Sequence, residues 1–301
     1  MSAPLRIALI GAKGQVATSL ARVLPASGFD VTVLARPDFD LTDPQSIAAA
    51  IIAAKPDVVI NPAAHTAVDR AEDEPDLAFA INRDAAGAIA AAAASVGAVI
   101  VHYSTDYVFD GQQSRPYIET DPTGPQGVYG ASKLAGEQAV AAANPRHVIL
   151  RTAWVCSADG ANFLKTMLRL AAERPELKVV DDQHGSPTFA ADIASATARI
   201  ATTCATQAAG APAFGVFHLV SQGEVTWCGF ARAIMASSKV RGGPSVPVHA
   251  ITTADFPTKA RRPAYSKLDT GKLARVHDIQ MPSWQAALDL CLDGMIGKSI
   301  T

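Results

Sequence analysis

The sequence predicts an α/β fold, a doubly wound parallel sheet followed by a smaller mixed α/β C-terminal unit. Short β-rich runs alternate with helical stretches through the first half of the 301 residues, the pattern of parallel strands wrapped by helices. A glycine-rich turn, Gly11-Ala-Lys-Gly14, joins the first such run to the first helix. Beyond Trp154 the order becomes irregular, which marks a change of unit. The expected division is 1–153 and 154–301, with the chain free to cross back.

Each element follows from local chemistry. Arg6–Ile10 is a short apolar run and the first strand, and Gln15–Leu24 is the helix after it. Val31–Ala35 is the second strand. Thr42-Asp43-Pro44 supplies a capping oxygen and a first-turn proline for a helix through Ala54. Val58–Asn61 is the third strand. Leu77–Val96 is a long helix favoured by its alanines. Val99–Ser104 is the fourth strand. Thr120–Gly127, rich in Pro, Gly and Thr, is a loop leading into the helix that carries Tyr129 and Lys133. His147–Thr152 is the fifth strand. Further on, helices are expected at Asn162–Arg174, Ala190–Thr203, Trp227–Ala236 and Trp284–Met295. Short strands are expected near Lys178–Val180, Gly215–Val220 and Val248–Ile251.

Composition excludes several classes. Hydrophobic residues make up 49% and charged ones 18%, values of an ordered globular chain long enough to bury a large core. A net charge of -2 offers no general basic field to nucleic acid. The N-terminus enters an apolar strand with no leader pattern. No membrane span is expected either, since the alanine-rich Ala85–Val101 is interrupted by Gly87, Ser95 and Gly97. Four scattered cysteines without CxxC spacing read as buried reduced thiols, and seven histidines form no ligand cluster, so no bound metal is expected. The expected address is the cytoplasm.

The turn Ile10-Gly11-Ala12-Lys13-Gly14-Gln15-Val16-Ala17 has the character of a dinucleotide site in a Rossmann-like domain. Small residues let the backbone approach a pyrophosphate, and the helix N-terminus offers free N–H donors. Ala17 stands where a third glycine would sit. An ordinary strand-to-helix turn is the alternative; its place in the first βα unit favours the cofactor. At the end of strand two no acid awaits a ribose 2′-hydroxyl. The chain reads Val33-Leu34-Ala35-Arg36, and an arginine there suits the 2′-phosphate of NADPH better than it suits NADH. Lys13 lies in the turn itself, and Asp40-Leu41 would border the adenine. Asn61-Pro62-Ala63-Ala64-His65-Thr66 ends strand three with small residues past which ribose and phosphates fit.

Tyr129-Gly-Ala-Ser-Lys133 places a phenol and an ammonium four residues apart, on one face of a helix. A free tyrosine titrates near pH ~10. A neighbouring cation favours the phenolate and brings the pair towards acid–base work at neutral pH. Tyrosine and lysine meet at this spacing by chance in many surface helices. The upstream turn makes chemistry the better reading here.

Several segments together resemble the extended short-chain dehydrogenase/reductases, and more narrowly the dTDP-4-dehydrorhamnose reductase family. They are the Gly11 turn, Asn61-Pro-Ala-Ala-His-Thr-Ala-Val-Asp69, His102-Tyr-Ser-Thr-Asp-Tyr-Val-Phe-Asp-Gly111 and Tyr129-Gly-Ala-Ser-Lys-Leu-Ala-Gly-Glu137. Later segments are similar too: Arg151-Thr-Ala-Trp-Val155, Asn162–Leu170, Asp182-Gln-His-Gly-Ser-Pro-Thr188 and Ala260-Arg-Arg-Pro263. The resemblance implies an NADPH-dependent reduction of the C4 keto group of a dTDP-sugar. It assigns Thr105, Tyr129 and Lys133 to catalysis. It assigns Gly14, Gln15, Val16, Ala64, His65, Thr66 and Tyr103 to the cofactor, and Thr105, Asp106 and Trp154 to the sugar or nucleotide. Lys259-Ala-Arg-Arg-Pro263 is the densest basic cluster, and Arg262, or its neighbour Arg261, would fork the substrate pyrophosphate.

In that reading Tyr129 is the general acid, Thr105 holds the carbonyl oxygen, and Lys133 lowers the tyrosine pKa and bonds the nicotinamide ribose. Other readings remain open: another dTDP-4-keto-6-deoxyhexose reductase, or a non-catalytic NADP-binding regulatory subunit. Some relatives dimerise through magnesium held by glutamates. Ser19 and Ala191 stand at those places here, so a monomer without a metal bridge is expected.

Overall fold

The computed structural model describes residues 3–296. Arg6–Ile10 forms β1, buried beyond Arg6, and Gln15–Ala26 forms α1. β2 is Asp30–Leu34 and α2 is Pro44–Ala54, whose first turn is capped by Asp43 accepting from Gln45 N at 2.9 Å. β3 is Val58–Asn61. Two short helices, α3 (Val68–Ala71) and α4 (Pro75–Phe79), precede a wider π-helical turn at Ala80–Ala85 and then α5, Ala86–Ser95. β4 is Val99–Thr105, buried along its whole length. α6 is Val128–Ala143 and β5 is His147–Thr152.

The second half supplies β6 (Val155–Cys156), α7 (Phe163–Glu173), β7 (Leu177–Val180), β8 (His184–Gly185), β9 (Thr188–Phe189) and α8 (Ala190–Ala205). It continues with β10 (Gly215–His218), β11 (Val225–Thr226), α9 (Trp227–Val240) and β12 (Val248–Ile251). α10 (Gly271–His277) and α11 (Trp284–Met295) end the described chain.

Six strands make one parallel sheet in the order β10-β5-β4-β3-β1-β2. Successive connections run one way from β1 to β2 and the other way from β3 onward. The topological switch therefore lies between β1 and β3, and a crevice opens there beyond the strands' carboxyl ends. Leu20 and Leu24 of α1 with Ile193, Ala194 and Ala201 of α8 cover one face. Ile47 and Ile51 of α2, Ile89 and Ala90 of α5 and Val140 of α6 cover the other. The Rossmann-like sheet expected from the alternation is present.

The sheet takes β10 and the covering helix α8 from beyond residue 153. A third core joins α7, α9 and α11 through Leu164, Phe230, Ile234, Leu288 and Leu292, with the β7–β12 ribbon against it. Pro75–Ser95 corrects one expectation. This 21-residue helical run has the length and apolarity of a membrane span, at a mean hydropathy of 1.2. It begins earlier than the alanine pattern alone suggests. In the fold it packs against α2 and α6, burying Ile89, Ala90 and Ala93.

Candidate active site

The crevice at the switch is a cleft of about 1010 Å³. On one side it is lined by the turn after β1, Ile10 to Ala17. Gly11 holds φ +86°, a left-handed conformation that a side chain would strain. Gly14 caps α1 with no side-chain oxygen on the first N–H groups, and open space lies beside it. The helix end is thus left available to an anion. Gln15 and Val16 line the cleft, and the Gln15 amide also ties α1 to the second half, donating to Val155 O at 3.3 Å and accepting from Asn162 Nδ2 at 2.9 Å.

Arg36 lines the cleft beyond β2, with Leu41 and Lys13 beside it. Asp40 does not line it. Its carboxylate accepts from Thr42 N and Oγ1 and lies 3.6 Å from Arg36. Those Thr42 bonds pull Asp40 below its ordinary range. After β3, Ala64 and Thr66 line the cleft, whereas the His65 side chain turns away to Glu74 at 3.6 Å. His65 serves the loop through its backbone: its N–H donates to Asn82 Oδ1 at 2.8 Å, and its carbonyl accepts from Asn82 Nδ2 at 3.1 Å.

Asn82 was not foreseen from sequence. It lies in the π-helical turn, buried, and also donates to Ser132 Oγ of α6 at 2.9 Å. A wide turn frees it to reach both the loop after β3 and α6. α6 can approach because Gly136 lacks a Cβ, which would lie 2.0 Å from Asn82 O. A buried asparagine inside an alanine-rich helix was the available signal.

Tyr129, Lys133, Thr105, Asp106 and Tyr103 converge on the inner wall of this cleft. Thr105 ends β4, and its hydroxyl donates to Asp106 Oδ1 at 2.9 Å while accepting from Tyr107 N at 3.2 Å. Burial raises Asp106 to about 6 against the pull of the nearby Ser266 and Thr105 hydroxyls, and among the described residues no donor makes a well-formed hydrogen bond to its Oδ2. Burial also pushes the Tyr129 phenol well above its ordinary value, with the Thr105 hydrogen bond pulling the other way. The expected lowering by Lys133 is not what the geometry provides. Lys133 Nζ donates to the Tyr103 carbonyl at 2.6 Å, and burial brings its own pKa down to about 8. The Tyr103 ring is in the wall, but its hydroxyl is 2.6 Å from Thr197 Oγ1, away from the opening.

The outer wall is aromatic. Trp154, held at φ +47°, stacks on Trp227 with ring centroids 3.5 Å apart and planes at 8°. Trp227, from the start of α9, went unremarked in the sequence beyond opening a helix. Arg262 lies outside the cleft lining. Its guanidinium pairs with Asp69 at 2.5 Å and donates to the Tyr107 hydroxyl at 3.1 Å, while Arg261 donates to Gln126 Oε1 at 3.1 Å. The basic run thus straps the second half across the loop after β3. Ser19 and Ala191 bring no carboxylate to α1 and α8, and Asp289 and Asp293 are both paired with Arg241.

A family model described as RmlD substrate binding domain matches residues 5–296. The chain is similar to the dTDP-4-dehydrorhamnose reductase of Burkholderia thailandensis, 48% identical over 98% of this chain and 100% of that one. It is similar to the Escherichia coli reductase of the same name, 41% identical over 96% of this chain and 97% of that one. Among solved structures it resembles the dTDP-4-dehydrorhamnose reductase of Bacillus anthracis in complex with NADP. That likeness has a TM-score of 0.90 at 34% identity, covering 97% of this chain and 99% of that chain.

Proposed function

The chain belongs to the dTDP-4-dehydrorhamnose reductase family, and on that premise we propose that it reduces the C4 keto group of dTDP-4-dehydro-6-deoxy-L-mannose, giving dTDP-L-rhamnose, with NADPH as reductant. One observation carries the reading: Tyr129, Thr105 and Lys133 line the same cleft onto which the Gly11–Gly14 turn opens. The residues suit the cofactor. The uncapped N-terminus of α1 takes a pyrophosphate, and Lys13 and Arg36 place two cations where a 2′-phosphate is to be told from a hydroxyl.

When bound, the nicotinamide supplies the hydride. Tyr129, kept un-ionised by burial, gives its proton to the sugar oxygen as negative charge grows there. Thr105 turns its hydroxyl from Asp106 to the same oxygen and stabilises that charge. The free Oδ2 of Asp106 accepts a sugar hydroxyl. Lys133, fixed by Tyr103 O, donates to the nicotinamide ribose. Trp154, braced by Trp227, walls the sugar.

Arg262 reaches the substrate pyrophosphate only by leaving Asp69, so substrate binding exchanges one anion for another. We take residues 1–153 as the cofactor unit and 154–301 as mainly the substrate unit, with β10 and α8 returning to the first. The working enzyme is proposed to be a cytoplasmic monomer with neither nucleic acid nor membrane as partner. Incubation with the 4-keto sugar nucleotide and NADPH, followed by NMR of the product, tests the reading. The expected product is the 6-deoxy-L-mannose nucleotide. An epimeric product, or none, would refute it.

A further inference from the structure

Behind the catalytic helix, three side chains from three elements meet away from solvent. Asn61 at the end of β3, His102 on β4 and Lys133 on α6 are 2%, 1% and 3% exposed. Asn61 Nδ2 donates to His102 Nδ1 at 3.2 Å, and His102 Nε2 lies 3.4 Å from Lys133 Nζ. The Asn61 amide is not free to flip. Ala63 N–H donates to its Oδ1 at 3.2 Å, which leaves the NH₂ group facing the imidazole. Nδ1 is therefore the acceptor, and Nε2 carries the ring proton. That proton points at an amine whose own hydrogens are donors. Donor meets donor.

We infer that Asn61 and His102 are positioning residues that keep Lys133 short of acceptors, so that its ammonium persists into alkaline solution only when a ribose hydroxyl of the bound cofactor completes its shell. The inference rests on the assignment of Lys133 to the cofactor ribose made above. Among the described residues the amine has one close acceptor, the Tyr103 carbonyl. The electrostatics agree: burial and the nearby lysine hold His102 well below its ordinary range, so it is neutral, and Lys133 itself falls to about 8. Glu137, one turn along α6, favours the cation, but its carboxylate is committed to Arg151 of β5 at 2.7 and 2.8 Å. Asp106 at the end of β4 is ionised above about 6. Burial pushes Tyr103, Tyr107 and Tyr129 upward. None of these groups changes charge between neutral pH and the ordinary tyrosine value of about 10.

The test is NADPH affinity against pH, read by fluorescence titration. Wild-type affinity is expected to be flat below about pH 8. Above it, affinity weakens by up to about tenfold per pH unit, because binding must then restore a proton to Lys133. The carboxylate of Asn61→Asp accepts a hydrogen bond from Nδ1–H and so turns Nε2 into an acceptor for the lysine. His102→Gln sets an amide oxygen there without adding charge. Each should move the onset of weakening up by about one pH unit. Side chains that merely fill space would alter affinity or stability equally at every pH. ¹⁵N shifts of wild-type His102 read the tautomer directly, with Nε2–H expected. An Nδ1–H tautomer, or an onset unmoved in both folded variants, overturns the inference. Failure of the wild type to bind NADPH at any pH would instead overturn the cofactor assignment, so the two failures are distinguishable.

Discussion

In the proposed mechanism Tyr129 is the residue on which the chemistry turns. Tyr129→Phe removes the transferable proton and little else, so folding and NADPH affinity should hold while kcat falls on the order of 10²–10⁴-fold. Steady-state kinetics beside a thermal melt checks it, and wild-type turnover would remove Tyr129 from the mechanism. Arg36 tests cofactor choice. Arg36→Asp should narrow or reverse the preference for NADPH in kcat/KM, since the carboxylate repels a 2′-phosphate and accepts from a 2′-hydroxyl. Asp106 gives a pH-dependent outcome. Its folded pKa, near 6, lies above the unfolded value, so the folded state loses stability as pH rises from the unfolded value through 6. Asp106→Asn, which does not titrate, should gain stability on the wild type across that window. The gain reaches on the order of 2–3 kcal/mol above it, while substrate KM rises. Melts at acid and neutral pH decide; a difference independent of pH would contradict it. Tyr129 and Lys133 were legible because spacing and residue type carry the signal. Which way His65 and Arg262 point was not, because each has an acidic partner, Glu74 and Asp69, that only tertiary folding brings near.

At the scale of elements, α6 is held to β5 by one buried ion pair. Glu137 and Arg151 meet in a two-pronged pair with both side chains 5% exposed, and the Arg151 guanidinium lies 5.0 Å above the Phe109 ring. Glu137→Gln leaves that guanidinium buried without a counter-charge, and the expected loss is about 3–5 kcal/mol of stability. Chemical denaturation measures it; a loss below about 1 kcal/mol would mean the pair is solvated or replaced. The β-rich runs and the long helices were readable because their periods and caps are local, as Asp43 before Pro44 shows. The π-helical turn at Ala80–Ala85 was not, since it exists to let Asn82 reach His65 and Ser132. The two-residue strands β6, β8, β9 and β11 escaped for a similar reason: their pairing partners, not their sequences, define them.

For the whole molecule, the proposed catalytic groups come from β4 and α6 and the proposed cofactor turn follows β1, while the wall and strap come from the second half. Alternation in sequence reveals the sheet but not its sixth strand. β10 is named as a strand by its residues, and only the closed fold sets it beside β5. The proposed chemistry needs no metal, because in it proton delivery and charge stabilisation are covered by Tyr129, Thr105 and Lys133. Activity should therefore survive EDTA, and sedimentation should give the same mass with and without magnesium. A magnesium-dependent dimer would point to acids elsewhere taking over that role. The most direct measurement of all follows the hydride. Enzyme, 4-keto sugar nucleotide and NADPH deuterated at the nicotinamide C4 are incubated, and the product is read by NMR, with Tyr129→Phe run in parallel. Deuterium at sugar C4 in the wild type, and almost none from the variant over the same time, is the expected result. Consumption of NADPH without deuterium at C4, or equal transfer by both proteins, would contradict the assignment of this cleft as a tyrosine-dependent C4 reductase.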